Sequence, residues 1–392
     1  MTWDGLTTSA ALPLSNIHLN RSPLHLSVQD TWPVGGLEKA SDQVAEASSS
    51  LDYFEAAYGI YRHAAGEKIQ IERFILLGAH VLRLHFAGPA LLDSIMPALS
   101  HLELKRAKKA SFTICIWDSQ STQTQMPEPL FLLKQQTAIM ENYLYSGNRI
   151  KACFSCGGSR TAYSLYDSER NLALFWVPDA HRVPSYQSAH PLLAIFYWWL
   201  KERGSQMVHA GAVGTKKGGV LLVGKGGSGK STAALACCTD PRLFYAGDDY
   251  VAIHPAGGWT AHNLYSSIKL DWQNRINFPR FFSDVSNPEE FGREKAVIFF
   301  ANHFAHKLIK RLPLRALFLV HISNANQSKL TKVSPATALR ALSPSTLFQL
   351  PGTGASDLNF MADMVRKIPS YTFELGRDIR SVPDLCWQFL NS

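Results

Sequence analysis

The sequence predicts an α/β protein in two parts, an N-terminal α+β module over residues 1–185 and a C-terminal α/β domain over 186–392 built around a phosphate-binding loop. Three observations carry this. The apolar run Val220 to Val223 leads into Gly224, Lys225, Gly226, Gly227, Ser228, Gly229, Lys230, Ser231 and Thr232, the strand, G-x-x-x-x-G-K-[ST], helix order of a P-loop. Beyond residue 185, strand patterns alternate with a helix around that loop, which places a nucleotide at the carboxyl ends of strands. Before it, short strand-like runs dominate.

Residues 1 to about 50 are rich in Ser, Thr, Asn and Pro and read as a loosely ordered arm. Phe74 to Leu77 and His80 to Phe86 follow as strands, Leu91 to Leu102 as a helix, and Ser111 to Trp117 as a strand. Leu130 to Leu133, Arg149 to Cys156 and Leu172 to Val177 complete what reads as an antiparallel sheet. Between them, Lys105, Arg106, Lys108 and Lys109 form a basic run, either a solvated connector or a docking patch. Leu192 to Lys201, behind Pro191, is an apolar helix.

In the second part the predicted strands are Met207 to Val213, Val220 to Val223, Arg242 to Ala246 and Ala316 to His321. The helices are Ser231 to Cys238, Pro335 to Leu347 and Ser356 to Ile368. No internal repeat is present.

Composition narrows the function classes. The 392 residues are 46% hydrophobic, enough for a sizeable core, and the formal charge of +8 suits anionic partners such as a nucleotide or an acidic peptide. The basic residues are scattered and no aromatic-rich RNA-binding signature occurs, so nucleic acid is not expected. Met1 to Asn16 lacks the regions of a signal peptide, and Leu192 to Leu200 is too short to span a bilayer, so a cytoplasmic, membrane-free protein is expected. Homo-oligomerisation is left open. Cys115, Cys153, Cys156, Cys237, Cys238 and Cys386 fall mostly in apolar runs and read as buried thiols; Cys153 and Cys156 lack the second ligand pair a zinc site needs.

The P-loop residues define the chemistry. The glycines Gly224, Gly226, Gly227 and Gly229 let backbone N–H groups, with those of Ser228 and Thr232, turn toward phosphate, and the next helix aims its positive end at the same anion. Lys230, expected to face solvent, adds charge at the β and γ phosphates, and the Ser231 hydroxyl can ligate magnesium. Gly224, Gly226 and Gly229 also spell a dinucleotide-binding turn with an acid, Asp248, about 20 residues on; the Lys-Ser after the last glycine and the doubled acid favour ATP. Asp248 and Asp249 end an apolar strand, where one acid can take the proton of a nucleophilic hydroxyl and the other hold magnesium. His209 starts a strand whose hairpin with the next would bring it to the loop. Lys269 could reach a transferred phosphoryl group or be a surface lysine.

Val208-His209-Ala210, the loop Gly224 to Thr232, and Ala246-Gly247-Asp248-Asp249 together resemble the core of the HPr kinase/phosphorylase family and its HPr-kinase-like serine-kinase relatives, whose fold is shared with phosphoenolpyruvate carboxykinase. The resemblance covers about residues 190 to 272 well, the remaining C-terminal part loosely, and the N-terminal half hardly at all. It implies an ATP- and Mg2+-dependent kinase acting on a serine of a peptide or small protein, such as a natural-product precursor peptide, or on a small hydroxyl substrate. By resemblance His209 lies beside the transferred phosphate, Lys230 and Ser231 serve nucleotide and magnesium, and Asp248 and Asp249 supply base and metal contact. Thr232 stands where the regulatory enzymes have Glu, and Ser266 to Leu270 resembles the shorter segment of the serine kinases, which points away from HPr itself as substrate. A nucleotide-binding regulatory module without transfer and an NAD-dependent oxidoreductase are the other readings. Acceptor selection is expected from the N-terminal half.

Overall fold

Strand-forming residues in the first half alternate between two buried faces. The computed structural model describes residues 49–106, 109–129, 138–139, 142–155 and 161–392; the N-terminal arm, Leu130 to Leu133, Lys108 and Cys156 lie outside these. Eight strands, β1 (Gln70–Leu77), β2 (His80–Ala87), β3 (Phe112–Asp118), β4 (Ala138–Ile139), β5 (Asn142–Ser146), β6 (Ile150–Ser155), β7 (Ala162–Asp167) and β8 (Leu172–Val177), form one sheet in the order β1-β2-β3-β8-β7-β6-β5-β4. The expected antiparallel sheet is instead mixed, because β3 runs parallel to both β2 and β8. The connection through the helix Leu92–Leu99 is a crossover, which a parallel neighbour requires.

In β3, Phe112, Ile114 and Ile116 pack on one face while Cys115 and Trp117 pack on the other. A strand buried on both sides needs cover on both. The outer cover is a helix, Ser50–Glu67, absent from the sequence reading, which presents Tyr53, Phe54, Ala57, Tyr61 and Ala64 to the sheet and is capped by Ser49 Oγ accepting from Asp52 N (3.2 Å). The inner cover is the helix Leu92–Leu99 together with Leu193–Lys201.

The second sheet contains β9 (Gln206–His209), β10 (Gly211–Thr215), β11 (Gly218–Val223), β12 (Phe244–Gly247), β13 (Tyr250–His254) and β14 (Thr260–His262). It is completed by β17 (Arg311–Ile322), β18 (Lys329–Val333) and β19 (Ser370–Leu375). A separate two-stranded ladder joins β15 (Ser267–Leu270) to β16 (Ala296–Phe299). Within the larger sheet β11, β17 and β19 are parallel neighbours. Their buried side chains also alternate: Val220 and Leu222 pack under the helices Lys230–Thr239 and Val382–Asn391, Leu221 and Val223 against Pro335–Gln349 and Ala355–Lys367. This is a mixed α/β architecture with helices on both faces of the sheet.

The inner core of the first sheet continues into the second half, joining Ile75, Phe112 and Trp199 to Met207, Tyr250 and Tyr265. Residues 49–392 lie within one compact unit, so the boundary proposed near residue 185 runs through a shared core. No helix among the described residues is long and apolar enough to cross a membrane.

Candidate active site

The glycine-rich loop 224–232 lies at the carboxyl ends of β11, β17 and β19. Gly224 has φ 145° and Gly229 φ 99°; a side chain at Gly224 would press on Val320 O at 2.9 Å, and one at Gly229 on Leu375 Cδ1 at 2.6 Å. These positions demand glycine for conformation and for close packing. Gly226, by contrast, is exposed and faces open space. Ser228 is buried with its Oγ unpartnered, and the helix Lys230–Thr239 begins directly after the loop.

Lys230 differs from the expectation that it faces solvent. It is 5% exposed, and its Nζ donates to Gly224 O (2.8 Å) and Lys225 O (3.2 Å). A buried ammonium needs acceptors, and the loop's own carbonyls supply them. Burial lowers its pKa, opposed by the charges of Asp248 and Asp249. Lys295, just before β16, adds to the positive field there.

The acid pair sits where two strands break. β9 and β10 are separated only by Ala210, and β12 and β13 only by Asp248 and Asp249. The breaks face each other, since Tyr250 pairs with His209, Ala212 with Gly247, and Ala210 N donates to Asp249 O (3.1 Å). Tyr250 N donates to Asp248 O (2.7 Å) across Asp249, whose φ of 58° makes this a three-residue turn. Left-handed backbone in a non-glycine residue stores strain, and Asp tolerates it better than most.

The two side chains meet different surroundings. Asp249 Oδ2 lies 3.0 Å from Lys269 Nζ and 3.9 Å from His190 Nε2, and its Oδ1 lies 3.4 Å from His209 Nε2. Burial pushes Asp249 up, but His209, Lys269 and His190 outweigh it and hold the carboxyl well below the usual range. Asp248 is 1% exposed and neither oxygen has a hydrogen-bond partner. Burial first and the Asp249 charge second push it well up; the nearby Ser231 hydroxyl and Lys230 pull it down by less.

His209 is brought to the acid pair by a route other than the expected hairpin: the hairpin joins β10 to β11 and leaves His209 out, and His209 is placed by the pairing of β9 with β13, where it stands opposite Tyr250. Burial depresses its pKa despite Asp249, and its backbone N–H donates to Thr346 Oγ1 (3.0 Å). Lys269 is not a free surface lysine but the ion partner of Asp249. Thr232 Oγ1 donates to Asn274 Oδ1 (3.2 Å), away from the acids. His190, absent from the sequence reading, is fully enclosed, is pushed down to about 3 by burial, and packs edge-on against Tyr250 (4.9 Å) and Tyr265 (5.2 Å).

No protein-family model matches the chain, and no curated protein matches it. Solved structures do match, among them the Hpr(Ser) kinase/phosphatase from Coxiella burnetii at 12% identity, covering 47% of this chain and 88% of that one with a TM-score of 0.27. At that TM-score the similarity supports no assignment by itself.

Among the described residues no group of three or more His, Cys, Asp and Glu could hold a metal. Magnesium does not need one, because it is commonly held by one or two carboxylates with phosphate oxygens and water. Ser231 and the acid pair fit that pattern, since the Asp248 oxygens lack a donor in full hydrogen-bond geometry and an ionised carboxylate such as Asp249 has lone pairs beyond its contact with the one cation, Lys269.

Proposed function

We propose that the protein is an ATP- and magnesium-dependent kinase that phosphorylates a serine hydroxyl of a peptide or small protein. The observation that carries the reading is the juxtaposition of a glycine-rich loop of P-loop sequence with two buried carboxylates, Asp249 held ionised by Lys269 and Asp248 beside Ser231 and Lys230. Backbone N–H groups of residues 224–232 would cradle the phosphates, and Lys230 would exchange its loop carbonyls for phosphate oxygens. Ser231 and Asp249 would hold magnesium, which when bound neutralises charge on the β and γ phosphates.

Asp248 is the base in this reading. A general base works best with a pKa near the working pH, and burial moves Asp248 in that direction. The acceptor oxygen forms a bond to the γ phosphorus as the bond from that phosphorus to the bridging oxygen of ADP breaks, and the hydroxyl proton passes to Asp248. Lys269 and His209 flank the transferred group, neutral His209 donating or accepting one hydrogen bond. The doubled acid, which has no task in a dinucleotide site, favours this reading over an NAD-dependent one.

The test is nucleotide binding by calorimetry with and without magnesium, followed by transfer from labelled ATP to peptides encoded beside the gene. Magnesium-dependent ATP binding and a phosphoserine located by mass spectrometry are expected. Tight NAD binding without ATP binding would overturn the reading.

A further inference from the structure

Next to the acid pair lies a cavity of about 580 Å3, within the range of pockets that enclose a small ligand or a large side chain. Its walls come from both halves of the molecule, with Ile95 and Phe175 from the first and Leu193 and Leu350 from the second. Among the described residues no lining residue is acidic, and Lys269 is the one cationic side chain. That lysine marks the reactive end: His190, Tyr250 and Lys269 all line the cavity, and Lys269 Nζ is 3.0 Å from Asp249. His190 is buried there with Nε2 unpartnered. Phe348, which also lines the cavity, is 82% exposed.

We propose that this cavity is the acceptor pocket and that it takes an apolar group, aliphatic or aromatic, attached next to the hydroxyl that receives phosphate. The inference rests on the transfer reading of the acid pair and adds the chemical class of acceptor. An apolar body filling the cavity leaves its hydroxyl at the Lys269 end, beside the turn that carries both acids, and burial of that body supplies the binding energy that positions it. Lys105 and Arg106 are exposed and do not line the cavity, so selection by this pocket works through apolar burial rather than charge. The apolar group could be a side chain beside a serine in a peptide or the body of a free alcohol.

Full-length protein is given labelled magnesium-ATP and two probe sets, octapeptides whose single serine is flanked by Ala, Leu, Phe or Asp, and the free alcohols 2-phenylethanol and octanol. Leu or Phe beside the serine should raise kcat/KM over Ala by roughly 10- to 100-fold, the value of burying one large apolar side chain; preference confined to the alcohols assigns the pocket to a free small molecule. Ser94→Trp, which fills the cavity from the helix Leu92–Leu99, should abolish the preference and the fluorescence gain of 1-anilinonaphthalene-8-sulfonate while leaving magnesium-ATP affinity unchanged. Phe348→Ala, at an exposed position that does not threaten folding, should weaken the preference several-fold. Equal rates for all flanking residues, an undiminished preference in folded Ser94→Trp, or no dye binding to the wild type would overturn the proposal. Loss of magnesium-ATP binding in the wild type would remove the transfer reading instead, and the dye result would still decide whether the cavity takes apolar groups.

Discussion

Two buried carboxylates, one in each kind of region, show what burial is used for in this molecule. Asp357, at 0% exposure, accepts from Tyr197 Oη (2.7 Å), Lys201 Nζ (2.6 Å) and Gly354 N (2.8 Å), so that it ties the helix Leu193–Lys201 to the start of Ala355–Lys367. Asp248 is as deeply placed, and neither oxygen meets a donor in full hydrogen-bond geometry, with only the Ser231 hydroxyl and Lys230 beside it. A satisfied buried acid holds elements together, whereas an unsatisfied one costs stability and is retained where its oxygens have other work. Depth is shared, and the partners decide the role.

Asp248→Asn tests the contrast most severely. It should lower the transfer rate by about 100-fold or more, with a melting temperature equal to or above the wild type, because the amide removes the cost of ionising a buried carboxyl. A variant that melted well below the wild type would make Asp248 another structural acid. Asp357→Ala should do the reverse, lowering unfolding free energy by about 3 kcal/mol or more in urea titrations while leaving nucleotide affinity intact in the folded protein.

Lys230→Ala comes next, with an expected loss of transfer and ATP affinity weakened at least tenfold, the value of about 1.5 kcal/mol for a hydrogen bond to a charged group. Calorimetry reads it directly, and unchanged affinity would separate Lys230 from the phosphates. Smaller again is the acid response of the whole fold. Burial pushes His190 down to about 3 and His101 and His262 to about 4, so these rings are neutral in the folded protein over a range in which the unfolded chain is protonated. The unfolded state then binds more protons, and stability should fall as the pH is lowered from about 6.5 toward 4. Asp248, raised by burial, opposes this, so Asp248→Asn should steepen the decline in urea midpoints. The smallest effect is expected from Tyr197→Phe, about 1 kcal/mol of stability without change in nucleotide binding.

How much of this was legible follows from chain distance. The glycine-rich loop and the acid pair are each an unbroken stretch of sequence, and such stretches report their own backbone. For His209 the local strand signal points to the right stretch, but the contact comes from the pairing of β9 with β13 rather than from the β10–β11 hairpin. His190 and Thr346 reach the site by tertiary packing, and neither stands in a motif, so nothing in their surroundings could announce them. The helix Ser50–Glu67 was missed although Tyr53, Ala57, Tyr61 and Ala64 recur at helical spacing, because alanine and the small residues before it dilute the apolar signal. The parallel placement of β3 is a property of the crossover rather than of its residues, which would suit either direction. For Lys230 the motif marks the residue but not its burial, since the acceptors are backbone carbonyls that no side-chain pattern records.

The three-residue turn at Asp249 makes the site sensitive to length rather than to composition. Gly247 ends one ladder and Tyr250 opens another, and side chains along a strand alternate in direction, so adding or removing a single residue between them would exchange the faces to which the acids point. Every residue type of the motif would survive such a change. Protein engineers transplanting this acid pair onto another sheet would therefore need to carry over the gap opposite Ala210 together with the acids, treating the missing rung of the ladder as a component in its own right.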